Sequence, residues 1–95
     1  MSGENSYARQ LETILNPLVV LLEQDPPQLP GRHRNGQFGY ERKGDGWNFY
    51  SHSEVDLIFA TFRGGKLQRR YVRHISPADI PKLQEYVRIT LEESR

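Results

Sequence analysis

The stretch GYERKGDGWNFY, residues 39–50, sets aromatic-rich runs on either side of Gly44-Asp45-Gly46. An Asp-Gly pair between such runs is a strong hairpin signal, because both turn positions tolerate positive φ. Residues 38–43 and 47–51 are therefore expected to pair as antiparallel strands. The same logic applies downstream, where Gly64-Gly65 separates residues 56–63 from 66–74. With SHSEV, residues 51–55, joining the two hairpins, the expected sheet is a four-stranded antiparallel meander.

On both sides of this meander the apolar period changes from two to three and four. Tyr7, Leu11, Ile14, Leu15, Leu18 and Leu22 form one stripe of an amphipathic helix. Asn16-Pro17 interrupts it, so the helix either kinks there or restarts with Asn16 as N-cap and Pro17 at its first position. Val19, Val20 and Leu21 widen the stripe, an excess that the sheet or a second subunit must cover. DPPQLPGRHRNG, residues 25–36, reads as a Pro/Gly-rich connector. Ser76-Pro77-Ala78-Asp79 opens a second helix with a serine N-cap, proline at the first position and acid near the positive end. Ile80, Leu83, Val87 and Leu91 carry that helix over residues 77–92. Residues 1–5 and 93–95 are expected to fray. The fold expected is a single α+β domain spanning 1–95, with an N-terminal helix, a meander of two hairpins and a C-terminal helix packed on the sheet.

A chain of 95 residues with 36% hydrophobic content has room for one core only. It contains no cysteine, which removes disulfide frameworks and thiolate zinc sites and favours a reducing, cytoplasmic setting. The apolar run LVVLL, residues 18–22, is too short to span a bilayer, and MSGENSYARQ lacks the basic start of a secretory signal, so no membrane partner is expected. The formal net charge of +1 hides an asymmetry: residues 1–30 carry −3, residues 31–75 carry +5 and residues 76–95 carry −1. A local excess of this kind attracts anions even in a nearly neutral protein.

FRGGKLQRRYVRH, residues 62–74, concentrates that charge around an aromatic side chain. Arg63, Lys66, Arg69, Arg70, Tyr71 and Arg73 are candidate nucleic-acid-binding residues, the cations tracking phosphates while Tyr71, joined by Trp47, Phe49 or Tyr50, stacks on bases. A two-residue Gly64-Gly65 turn sets Phe62 opposite Leu67, Ala60 opposite Arg69, Ile58 opposite Tyr71 and Asp56 opposite Arg73. Alternation then sends Arg69, Tyr71 and Arg73 to one face and Lys66, Arg70 and His74 to the other. The competing structural reading packs Tyr71 under a helix and spreads the arginine stems over the sheet. A rival functional surface, for a protein partner or a homodimer, uses Val19, Val20, Tyr40 and Tyr50. The basic trio Arg32, His33 and Arg34 reads as solvated loop.

His52, Glu54 and Asp56 alternate along an extended segment, a weak metal signal that a solvated link explains as well; no metal and no cofactor are expected. Glu41, His52, Glu54, Arg69, Arg73 and His74 supply the residue types of a metal-independent ribonuclease, yet no catalytic motif orders them. The element order resembles that of double-stranded RNA-binding domains, with FRGGKL and ISPADIPKLQEYV loosely similar to a hairpin and a helix start. Those domains place base at the helix N-terminus, where this chain has the acid of Asp79, and no family follows from order alone. The reading favoured is a small, non-enzymatic, intracellular binding protein whose preferred partner is single-stranded nucleic acid. An adaptor module for a protein partner is the alternative.

Overall fold

The computed structural model describes residues 3–94, with the side chains of residues 3–5, 69 and 70 outside the description. Helix α1 (Gly3–Leu22) precedes five strands, β1 (Arg32–Asn35), β2 (Phe38–Lys43), β3 (Gly46–His52), β4 (Asp56–Arg63) and β5 (Lys66–Gln68), and helix α2 (Ile80–Glu93) ends the fold. All neighbours are antiparallel and the strand order follows the chain, giving a five-stranded meander. Of the ends expected to fray, residues 1, 2 and 95 lie outside the described residues, while α1 already begins at Gly3 and α2 runs to Glu93.

The fifth strand is a correction. Residues 25–36 are not connector throughout, because Arg32–Asn35 pairs with β2 in the register Arg32↔Glu41, His33↔Tyr40, Arg34↔Gly39 and Asn35↔Phe38. Gly36 stands at φ +62° in the first central position of the two-residue turn, as a type II′ hairpin requires. Its signal was hidden because RHR lacks apolar alternation. What holds β1 is instead a clamp from across the domain. The His33 ring stacks on Tyr40 at 5.7 Å, with Nδ1 2.9 Å from the Tyr86 hydroxyl and Nε2 3.2 Å from a Glu93 carboxylate oxygen. The carboxylate can only accept, so Nε2–H donates to it; in the neutral ring Nδ1 then accepts from the phenol. Burial pushes the Tyr86 phenol above its ordinary value, which keeps it a donor.

The second correction concerns residues 69–74. The hairpin turn at Gly64-Gly65 forms as expected, with Phe62 opposite Leu67, but β5 stops at Gln68 and Arg69–His74 is 3-10 helical with a kink at Tyr71. Arg69 therefore does not face Ala60, nor Tyr71 Ile58, nor Arg73 Asp56. Had the strand continued, its alternation would have driven Arg69 onto the core face beside buried Ala60. The tighter winding puts Val72 and Ile75, three residues apart, into the core instead. Tyr7 of α1 donates to the Ile75 carbonyl at 2.7 Å and fixes the exit from this segment.

The core lies between one face of the sheet and both helices. Ala8, Leu11, Leu15, Leu18, Val19 and Leu22 of α1 and Ile80, Leu83, Tyr86 and Val87 of α2 meet Phe38, Tyr40, Trp47, Phe49, Phe59 and Phe62. Phe59 and Phe62 are three apart and would face opposite ways in a regular strand. An irregularity in the β3–β4 register at Phe49/Tyr50 brings both to the same side. α1 continues through Pro17 without a restart; its neighbours Asn16 and Thr13 are exposed, so water can reach the carbonyl left without a donor. At the other end, Ser76 Oγ accepts from the Ala78 N–H and Pro77–Asp79 forms a 3-10 turn, so α2 proper begins at Ile80 and not at Pro77. Among the described residues, no helix is long and apolar enough to cross a membrane.

Candidate nucleic-acid interface

Both helices sit on one side of the sheet. Glu12 of α1 accepts from the Leu67 N–H at 3.0 Å, and Tyr86 of α2 meets His33 and Phe38, all in the phase of the core-facing side chains. Side chains alternate along each strand, so the pairing register fixes what the other face displays. Its successive rows are His52 and Asp56; Arg34, Gly39, Tyr50 and Ile58; Arg32, Glu41, Asn48, Thr61 and Gln68; and Lys43, Gly46, Arg63 and Lys66. Rows stand about 7 Å apart and the strands about 4.8 Å, making the face about 19 Å wide from β1 to β5.

Charge on this face is ordered. Arg34 and Arg32 run down β1, and Lys43, Arg63 and Lys66 continue along the row nearest the turns, all five exposed. Together they trace an L around a polar centre of Asn48, Thr61 and Tyr50. Opposing them are Glu41 and Asp56, with Asp45 of the β2–β3 turn 4.0 Å from Arg63. Asp56 is engaged elsewhere, 2.5 Å from His52 Nδ1. The sequence puts Arg32 and Arg34 in a loop; strand β1 sets them on the same face as Arg63 and Lys66, at its opposite edge.

The centre is more buried than its position suggests. Tyr50 is 9% exposed and Asn48 8%. A Cβ at residue 39 would lie 2.6 Å from both the Tyr50 hydroxyl and the His33 carbonyl, so glycine there lets the Tyr50 ring lie across β2. Thr61 Oγ1 donates to Asn48 Oδ1 at 3.0 Å, which occupies one end of that carboxamide. Among the described residues no buried side-chain nitrogen or oxygen lacks a hydrogen-bond partner, so the NH2 end, which has none, is reached by solvent.

The residues read from the sequence separate accordingly. Arg63 and Lys66 belong to this face. Tyr71 and Arg73 belong to the 3-10 segment, where the Tyr71 ring lies 5.4 Å from that of His74. The side chains of Arg69 and Arg70 lie outside the described residues. Trp47 and Phe49 are core and are unavailable for stacking. Of the protein-interaction set, Val19 and Tyr40 are fully covered, Tyr50 lies under its neighbours and Val20 alone is open, at 51%. Burial and nothing else pushes the Tyr40 phenol up to about 12, while its hydroxyl donates to the Pro30 carbonyl at 2.8 Å.

The residue types of a ribonuclease are not brought together. His52 lies four residues along β3 from Asn48, the partner of Glu41, which is about 13 Å of strand. His74 spends Nδ1 on the Ile58 carbonyl at 2.8 Å. Among the described residues no three His, Cys, Asp or Glu side chains converge as metal ligands. A cleft of about 240 Å3 between the β1–β2 turn and α2 has its polar rim already engaged, Asn35 on Glu93, Gln37 on Ser51 and Glu85 on Arg88. Comparison of the chain with protein-family models, with curated proteins and with solved structures finds no match.

Proposed function

We propose that this protein binds single-stranded nucleic acid on the helix-free face of its sheet, phosphates following the L of Arg34, Arg32, Lys43, Arg63 and Lys66. The observation that carries the reading is the gathering of five exposed cations from four strands onto one face that neither helix covers. Arginine forks suit phosphate oxygens, and a groove or face that tracks the backbone electrostatically is the common basis of single-strand binding. The large exposed apolar side chains lie elsewhere: Val20 on α1, Val55 in the β3–β4 link and Leu57 in the opposite phase of β4. Among the described residues an apolar partner has only the half-buried Ile58 on this face, whereas a polyanion has five exposed cations. The preferred surface accordingly extends from the Arg63–Lys66 turn toward β1, and not along residues 69–74. The role is that of a binder without chemistry of its own.

The test is fluorescence anisotropy with labelled single-stranded RNA and DNA, titrated at low and near-physiological salt. Micromolar or tighter binding that weakens steeply with salt is expected, and replacing all five cations by glutamine should abolish it while the circular dichroism spectrum is retained. No binding at low salt, or undiminished binding by the folded variant, would overturn the reading; displacement by an acidic polypeptide as effectively as by nucleic acid would assign the face to a protein partner.

A further inference from the structure

We propose that the outer edge of β1 receives, as an added antiparallel strand, an extended acidic peptide whose carboxylates alternate with uncharged residues. The inference does not rest on nucleic-acid binding, although it shares Arg32 and Arg34 with that reading. The pairing register decides which backbone groups face outward. The turn at Gly36-Gln37 closes on Asn35↔Phe38, a pair that exchanges backbone hydrogen bonds, and every second pair beyond it does the same. Asn35, His33 and Gly31 therefore point at β2, and the Gly31 carbonyl accepts from the Arg42 N–H at 3.0 Å. Arg32 and Arg34 lie between them. Their N–H and C=O groups are directed away from the sheet and have no partner among the described residues. β1 stands first in the strand order, so no strand covers them. The other edge is closed: the outward N–H of Leu67 on β5 is taken by the Glu12 carboxylate at 3.0 Å, and the chain turns from there into the 3-10 segment.

Two outward residues offer two donors and two acceptors, the means by which an exposed edge takes up an extended peptide. Side-chain charge then selects the peptide. Arg32 and Arg34 are exposed on the helix-free face, and the residue of an antiparallel partner directly opposite each of them shares that face, where a carboxylate meets a guanidinium. The intervening residues lean to the helix side, where the Glu93 carboxylate accepts from His33 and Asn35 and would repel another acid. A second copy of β1 is the wrong partner, because antiparallel self-pairing sets arginine opposite arginine. A short, positively charged edge resists indiscriminate pairing, and the same charges match an acidic strand. Such a strand meets only two of the five cations on the face, so its competition with nucleic acid is partial.

The probe is a labelled heptapeptide of alternating glutamate and threonine with glutamate at both ends, titrated by fluorescence anisotropy against the full chain at low salt. A block peptide of the same composition controls for charge alone, and the alternating peptide should bind roughly fivefold tighter or better. N-methylation of its two inner glutamates, whose N–H groups face β1 in this pairing, should weaken binding roughly tenfold, whereas N-methylation of two threonines should leave it in place. Arg34→Gln and Arg34→Pro remove the same charge, but only proline removes the outward N–H, which the β1–β2 ladder does not use. Arg34→Pro should therefore keep the circular dichroism spectrum and bind roughly fivefold more weakly than Arg34→Gln. Peptide should also slow hydrogen exchange at the Arg32 and Arg34 amides. Equal binding of alternating and block peptides, binding of neither, or tolerance of glutamate methylation would overturn the added strand and leave the proposed function standing; the methylated peptides decide the matter even if Arg34→Pro fails to fold. A dimer in sedimentation that Arg34→Pro dissolves would assign the edge to a second copy instead. Failure of nucleic-acid binding, with the alternating peptide still bound, would overturn the proposed function alone.

Discussion

Removing Arg32 and Arg34 separates an L-shaped contact from a hairpin-only one, because these two cations reach the face through β1 alone. Each phosphate neutralised on a single strand contributes about −0.7 to the slope of log K against log salt, so five contacts give about −3.5. Between about 50 and 200 mM salt that slope weakens binding about 100-fold. The Arg32→Gln, Arg34→Gln double variant keeps Lys43, Arg63 and Lys66, lowers the slope to about −2.1 and reduces the weakening to about 20-fold. The fold should survive, since both side chains are exposed and β1 is held by its ladder and by the His33 contacts with Tyr86 and Glu93. Anisotropy titrations at four or more salt concentrations measure both slopes, with circular dichroism as the control for structure. A double variant that is folded and has the wild-type slope would refute the contribution of β1 and confine any contact to Arg63, Lys66 and Lys43.

Two further predictions bear on the architecture. Val20→Glu should shift stability by no more than about 0.5 kcal/mol, because the side chain is 51% exposed, whereas Val19→Glu, placing a charge at a 1% exposed position, should cost more than about 3 kcal/mol. Thermal melts compare them directly, and equal losses in the two variants would contradict the placement of α1. Tyr40 bears on alkaline stability. Its pKa is raised from 10.0 to about 12, so the unfolded chain ionises first; the stability it contributes is complete below pH 10 and is lost as the pH rises toward 12. Tyr40→Phe should flatten that part of the alkaline decline, with a residue left from the raised Tyr7 and Tyr86 phenols. Superimposable pH profiles for wild type and variant, followed by ellipticity, would refute the assignment.

Most of the fold could be read from local pattern. Gly64-Gly65 marked a tight turn because both residues must adopt positive φ, and they do, at +58° and +78°. The stripe from Tyr7 to Leu22 and the Ser76 cap announced the helices, since their periods and capping chemistry are properties of a few neighbouring residues. The candidate site is legible only in part: the sequence shows Arg63 and Lys66 as cations of a hairpin, and the charge excess of residues 31–75 is plain from composition. Alternation says that two strand residues share a face but not which face the helices will cover.

That choice is made by contacts distant in sequence. His33 and Tyr86, 53 residues apart, and His33 and Glu93, 60 apart, turn a polar tetrapeptide into an edge strand and aim Arg32 and Arg34 outward. The register irregularity opposite Phe49 and Tyr50 lets Phe59 and Phe62 share one core. The demand to bury Val72 and Ile75 ends β5 after three residues. The amino-acid sequence by itself determined the elements, their turns and the sign of the charge, because those follow from backbone sterics and short-range periodicity. Only the tertiary structure decided which side of the sheet is open and that Asn48 sits at its centre, because burial is a property of the whole packed chain.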